Sequence, residues 1–138
     1  KGCTQVYDPV NNKTVYYFDE NCQLTSSEQY LDGLPYRVHR KSWGKAQAAS
    51  YLLSTSIEDG DGAIFYYKSY TYDDVNCGNI IKEREYGNFT GVNSGPLEIN
   101  NKGKPNGEVH VKKYSYFSEK DIDGFFQGDA KGSAIQFC

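Results

Sequence analysis

The stretch KAQAASYLL (residues 45–53) has the pattern of a short helix in a chain otherwise rich in strand-forming residues. Trp43, Ala46, Ala49 and Leu53 recur at spacings of three and four, which places them on one side of a helix. Ser42 stands where it can cap the first turn. Because alanine is small, this side can lie close against a sheet. The sequence therefore predicts one helix packed on a sheet.

Strand patterns occur on both sides of this segment. Residues 5–18 contain two strand-like runs around an Asp-Pro and Asn-Asn turn, which predicts an N-terminal β-hairpin. Further short strands are predicted at residues 36–38, 63–72, 79–86, 96–100, 108–117 and 133–138. These elements predict an α+β fold, in which one α-helix packs on a central antiparallel β-sheet and a hairpin precedes it. The length of 138 residues fits a single domain, residues 1–138.

An acidic, glycine-containing turn at residues 58–62 ends the predicted helix. The alternative for this turn is a calcium-binding loop that starts at Asp59. Such a loop needs a glutamate at its twelfth position, where this chain has Tyr70. A plain turn is therefore predicted, and neither a metal nor a cofactor is expected.

The net charge of -3 argues against a general electrostatic attraction to nucleic acid, although a local basic face remains compatible with it. No run of 18 apolar residues is present, so no membrane-spanning helix and no membrane partner are predicted.

Four cysteines lie far apart in the chain, with no CxxC pair and only two histidines to complete a zinc site. Their even number predicts two disulfides and an oxidising compartment, although four cysteines allow three pairings. A bridge from Cys3 to Cys138 would close nearly the whole chain and contribute roughly 5 kcal/mol. Cys22 would then pair with Cys77. Free thiols in a cytosolic protein are the alternative, and sequons at Asn12 and Asn88 agree with secretion.

Four features together resemble the small secreted fungal ribonucleases that cut RNA after guanosine, and their ribotoxin relatives. They are the alanine-rich helix of residues 46–53, the turn at residues 60–62 before a tyrosine-rich strand, the acidic strand of residues 81–86 and the final Phe137-Cys138. The resemblance implies that the helix backs a sheet whose opposite face carries a glutamate base, a histidine acid and an arginine for the phosphate. Such groups must remove one proton and supply another in the same reaction.

The catalytic set of that family is incomplete in this chain. Tyr67-Lys68 stands where the family has His followed by Lys, and the arginine position falls on residues 96–98, which contain no Arg. Glu83 or Glu85 matches the glutamate position. His110 or Lys112 matches the acid position, whereas His39 lies off these strands. The chain therefore resembles the ribonuclease-like effectors of powdery mildew fungi, which keep the scaffold without the catalytic residues.

That resemblance implies a secreted fungal virulence effector that acts inside the plant host cell. It would be a catalytically inactive monomer that binds a host protein or, weakly, RNA, and an intracellular immune receptor would recognise it. The predicted binding residues are Tyr67, Lys68, Arg84 and Lys112, and the basic residues 37–41 are a second candidate contact. The alternative is an active guanyl-type ribonuclease that uses His110 with Glu83 or Glu85. A third reading is an unrelated secreted β-rich domain.

Overall fold

A computed structural model describes residues 1–45, 50–74, 78–99 and 105–116. These residues form one eight-stranded antiparallel sheet, in which every strand pairs with the strand that follows it in the chain. The sheet is therefore a simple meander, with β1 and β8 at its edges within the described residues. The strands are β1 (Gly2–Tyr7), β2 (Lys13–Phe18), β3 (Leu24–Leu31), β4 (Leu34–Lys45), β5 (Ser50–Asp59), β6 (Ile64–Tyr72), β7 (Ile80–Gly87) and β8 (Glu108–Lys113).

The predicted α+β, ribonuclease-like fold is wrong, because the part of the chain that the structure describes is all-β. The final part of the predicted helix, from Ser50 onwards, is β5, and the predicted cap Ser42 lies inside β4. These two strands pair up to Lys45 and Ser50. Residues 46–49 lie outside the described residues. None of the described ranges contains a helix, and hence none contains a helix able to cross a membrane.

Cross-strand contacts explain why this segment forms strands. The Trp43 indole Nε1 donates a hydrogen bond to the Leu24 carbonyl oxygen at 2.9 Å, and the Tyr72 hydroxyl donates to the Leu52 carbonyl at 2.9 Å. The Tyr51 and Tyr72 rings meet edge to face at 5.3 Å between centroids. Helix propensity differs by only tenths of a kcal/mol between most residues, and tertiary contacts routinely override it. These contacts with other strands therefore decide the conformation.

Several strand predictions are confirmed. β1 and β2 form the predicted N-terminal hairpin, and strands occur at the predicted positions of β6 and β7. The predicted strand at residues 108–117 begins correctly but ends at Lys113. The predicted strand at residues 96–100 is wrong, since its described residues, 96–99, contribute only the isolated bridge between Ile99 and Pro105. The predicted strand at residues 133–138 lies outside the described residues.

The sequence does not predict two parts of the sheet. It predicts no strand over the residues of β3, and only residues 36–38 of β4. The signal was Asp32-Gly33, a two-residue sequence that favours a hairpin turn. Both residues have positive φ, 50° and 81°, as this tight turn requires. β3 and β4 pair directly across it, from Leu31 and Leu34 outwards.

Three hairpins share one turn, which starts at Asp8, Asp19 and Asp59. In each, the aspartate carboxylate accepts hydrogen bonds from the backbone amides two and four residues later, at distances of 2.8–3.0 Å. The aspartate amide also bonds the carbonyl four residues later. The fourth residue of each turn has positive φ, and these residues are Asn11 (66°), Cys22 (60°) and Gly62 (87°). The result is a type I turn with a left-handed residue, which sets the register of both strands.

Cys22 occupies the left-handed position that favours glycine or asparagine, which leads to a prediction. Cys22→Gly should raise the free energy of unfolding by about 0.5–1 kcal/mol, because it removes a strained φ. Cys3→Gly, within the strand β1, should lower it by a similar amount. Urea unfolding under reducing conditions measures both, since no disulfide then contributes to either protein. If both substitutions raised the free energy of unfolding, or if both lowered it, the result would contradict the turn geometry.

Few side chains are buried in the described part of the chain. Val15 and Val38 are 3% and 5% exposed, and Ser26, Ser56 and Glu58 are also buried. Register places all five on one side of the sheet, here called the front face, because opposed residues share a side and neighbours along a strand alternate. No large side chain among the described residues is completely buried. Cross-strand pairs are therefore the main visible source of stability.

Candidate functional site

The predicted catalytic and binding residues, apart from the basic segment of residues 37–41, lie on β6, β7 and β8. They are divided between the two sides of the sheet. Lys68 opposes Glu85, which opposes His110, and Glu83 opposes Lys112. These five residues lie on one side, the back face. Tyr67 opposes Tyr86 on the front face, where Arg84 opposes Val111. The structure thus brings Lys68, Glu83, His110 and Lys112 together and separates them from Tyr67 and Arg84.

A charge network dominates this part of the back face, and we call it the Lys68 cluster: Lys68, Glu83, Glu85 and Lys112. The Lys68 Nζ lies 2.8 Å from a Glu83 carboxylate oxygen and 3.0 Å from a Glu85 oxygen. Lys112 Nζ approaches Glu85 at 3.5 Å from a more exposed position. The side chains of Lys68, Glu83 and Glu85 are only 18%, 13% and 18% exposed. One ammonium group thus forms ion pairs with two carboxylates in a mostly covered position, and Lys112 supplies the second positive charge that balances them.

The protonation states follow from these contacts. Hydrogen bonding to Glu83 raises the pKa of Lys68 above its usual range, against the opposing effect of burial. Hydrogen bonding to Lys68 lowers the pKa of Glu85, again against burial. Both groups are consequently charged at neutral pH. A group whose pKa is moved away from neutrality in this way is a poor general acid or base.

His110 is held by an aromatic contact. Its ring stacks on Phe89, with centroids 4.1 Å apart and planes 13° from parallel. The segment that carries Phe89 is fixed to β8, because the Thr90 amide donates a hydrogen bond to the Glu108 carboxylate at 2.9 Å. Among the described residues, no hydrogen bond or ion pair joins His110 to Glu83 or Glu85. Neither of these two glutamates is therefore positioned to exchange a proton with the imidazole.

The front face of β7 and β8 carries a different group, which we call the basic patch: Lys82, Arg84 and Lys113. Lys82 and Lys113 stand directly opposite each other, and Arg84 is the next residue of β7 on the same side. Burial, followed by the charges of Arg84 and Lys113, lowers the pKa of Lys82. No ion pair involves any of these three cations within the described ranges. Sequence reasoning identified only Arg84, because the approach of the two lysines depends on strand register.

The basic segment of residues 37–41 does not form one contact surface. Arg40 lies on the front face and forms an ion pair with the buried Glu58 at 2.8 Å. The back face carries the alternate residues of this segment, which are Arg37, His39 and Lys41. The aspartates of the suspected calcium turn do not gather into a cation site, since Asp59 accepts backbone hydrogen bonds instead. In the portion of the chain described, no group of three or more His, Cys, Asp or Glu residues is placed to hold a metal ion.

The predicted disulfides remain predictions. Cys3 and Cys22 are exposed and are not bonded to each other. Their predicted partners, Cys138 and Cys77, lie outside the described residues.

No protein-family model, no curated protein and no solved structure matches this chain.

Proposed function

We propose that this protein is a non-catalytic binding protein that contacts its partner through side chains displayed on the sheet. One observation carries the proposal. Arg84, the only arginine among the site candidates, lies on the front face, whereas Glu83 and His110 lie on the back face. The groups that RNA cleavage requires therefore do not converge on one position.

The physical requirement behind this argument is strict. A general base and a general acid must each come within hydrogen-bond distance of the proton that they transfer, about 2.6–3.2 Å between heavy atoms. The Glu83 carboxylate is instead occupied by the Lys68 ammonium, and the His110 ring lies against Phe89. A cation that stabilises a phosphate must also contact that same phosphate. Since adjacent residues of a strand point to opposite sides, no rotamer change moves Arg84 to the face of its neighbour Glu83.

We propose that the partner is another protein. The sequence-based prediction of a fungal effector, with a plant protein or an immune receptor as its partner, depended strongly on the helix that the structure replaces with strands. Secretion still has the cysteine count and the two sequons in its favour. A binding role does not require a ribonuclease scaffold, so we propose it without one.

The alternative of an active ribonuclease is tested by RNA cleavage. Wild-type protein, Glu83→Gln, His110→Ala and Arg84→Gln should all degrade total RNA at the same rate, within twofold of a buffer control. In a working enzyme, loss of a general acid or base lowers the rate by about 10²–10⁴-fold. Robust cleavage by the wild type that falls by such a factor in the Glu83 and His110 variants would overturn the proposal.

A further inference from the structure

The basic patch contains positive charges that repel one another. Like charges directly opposite each other on neighbouring strands are destabilising, and Lys82 and Lys113 form such a pair. Side chains in this arrangement have Cβ atoms about 4.5–5.5 Å apart. Arg84 adds a third positive charge on the same side. Val111 lies opposite Arg84 and completes this group of four neighbouring positions on the front face.

The basic patch differs from the other cations of the sheet in two respects taken together, the lack of an ion pair and a like charge directly opposite. Lys13, Arg37 and Lys41 also have no ion pair among the described residues, but none of them opposes another cation. Lys68, Lys112, Arg40 and Lys45 each have a carboxylate within ion-pair distance. The three residues of the basic patch have none among the described residues, although the chain as a whole has more acidic than basic residues. Within the described residues, the positive charge of the patch is therefore not neutralised.

Apolar side chains adjoin these charges. Val109 and Val111 on β8 are 45% and 46% exposed, and both lie on the front face beside the patch. Val109 opposes Tyr86, whose ring meets Tyr67 at 6.1 Å between centroids. Both tyrosines are less exposed than the valines. On this part of the front face, cationic and aliphatic groups are therefore more accessible to a partner than aromatic rings are.

We propose that the basic patch, together with Val109 and Val111, binds a partner protein through an acidic segment that also carries aliphatic side chains. This inference rests on the proposed binding function and specifies its surface and partner class. Carboxylates of the partner relieve the repulsion between Lys82 and Lys113, while its aliphatic groups cover the two valines. Nucleic acid fits less well, because three phosphate contacts give weak binding that salt readily disrupts, and stacking needs accessible rings.

Fluorescence anisotropy tests this inference with two labelled probes, a peptide of alternating glutamate and leucine and an oligouridylate of similar length. The wild type should bind the peptide more tightly than the RNA. The double variant Lys82→Gln/Lys113→Gln should weaken peptide binding about tenfold or more. Val111→Ser should weaken it with both lysines in place, which a purely ionic attraction does not predict.

A control of equal charge separates the patch from net charge. Lys41→Gln/Lys45→Gln removes two lysines of β4 that lie away from the patch, so it changes the net charge equally, and it should alter peptide binding by less than twofold. The Lys82/Lys113 variant should unfold at the same or a higher urea concentration than the wild type, because it removes a repulsion. Equal weakening by both double variants, tighter binding of the RNA or failure to bind the peptide would each overturn the inference. The RNA cleavage result is independent of all three outcomes.

Discussion

Lys68→Met should lower the free energy of unfolding by about 2 kcal/mol, because it leaves two mostly covered carboxylates without their shared cation. Glu83 and Glu85 lie two residues apart on one strand and on the same side of the sheet. Without Lys68 their charges repel each other, and only Lys112 remains near Glu85. Urea unfolding at pH 7 measures the loss.

The same substitution should change the pH dependence of stability. Because the folded state raises the pKa of Lys68, its stabilisation is complete below the ordinary value of 10.5 and is lost as pH rises above it. The folded state lowers the pKa of Glu85, so that contribution is present above 4.5 and is lost as pH falls below it. The wild type should therefore lose stability at both high and low pH. The difference between wild type and Lys68→Met should be largest between these limits and should shrink outside them.

Lys45→Met is the control for this prediction. Lys45 approaches Glu20 at 3.8 Å, but both side chains are largely exposed, at 69% and 80%. Exposed ion pairs contribute little, and we expect a change below 0.5 kcal/mol with no change in pH dependence. Equal effects of the two substitutions would show that the Lys68 cluster does not stabilise the sheet.

Gly60→Ala should lower the free energy of unfolding by about 2–3 kcal/mol, because a methyl group there would overlap backbone atoms. Gly60 lies in the turn between β5 and β6, directly against the Pro35 carbonyl at the start of β4. A rotamer change cannot relieve this overlap, since the neighbouring atoms belong to the main chain. The turn or the first residues of β4 must move instead, which disturbs the pairing of β4 with β5.

Gly2→Ala provides the comparison for Gly60. A methyl group at Gly2 would meet no atom within 4 Å, and Gly2 does not have positive φ. Its replacement should therefore change stability by less than about 0.5 kcal/mol. If Gly60→Ala proves equally harmless in urea unfolding, the turn does not pack against β4 as described.

The alternation of β8 was readable from the sequence, because Val109 and Val111 recur with period two among polar residues. That period placed Glu108–Lys113 correctly in a strand. The same reasoning could not tell which residues of β7 oppose β8, since a shift of one residue exchanges the two faces. The grouping of Lys68 with Glu83 and Glu85, and the isolation of Arg84 from them, therefore required the structure.

The sequence predicts turns at two of the three aspartates, Asp8 and Asp59, but not the turn at Asp19 or the feature that all three share. The segments DPVNN, DENCQ and DGDGA share only their first residue, so they do not look like a repeat. Their common feature is an aspartate followed three residues later by Asn, Cys or Gly in the left-handed region. Because an aspartate can bond its own downstream amides, this signal is local and needs no distant contact.

Local chemistry in the sequence determined where this chain turns, since the Asp-centred turns and Asp32-Gly33 act over only a few residues. Tertiary structure alone decided that Ser50–Asp59 is a strand, because its conformation depends on hydrogen bonds and ring contacts with β4 and β6. It also decided which charges are neutralised. Ion pairing depends on register between strands that lie far apart in the sequence, and register is a property of the assembled sheet.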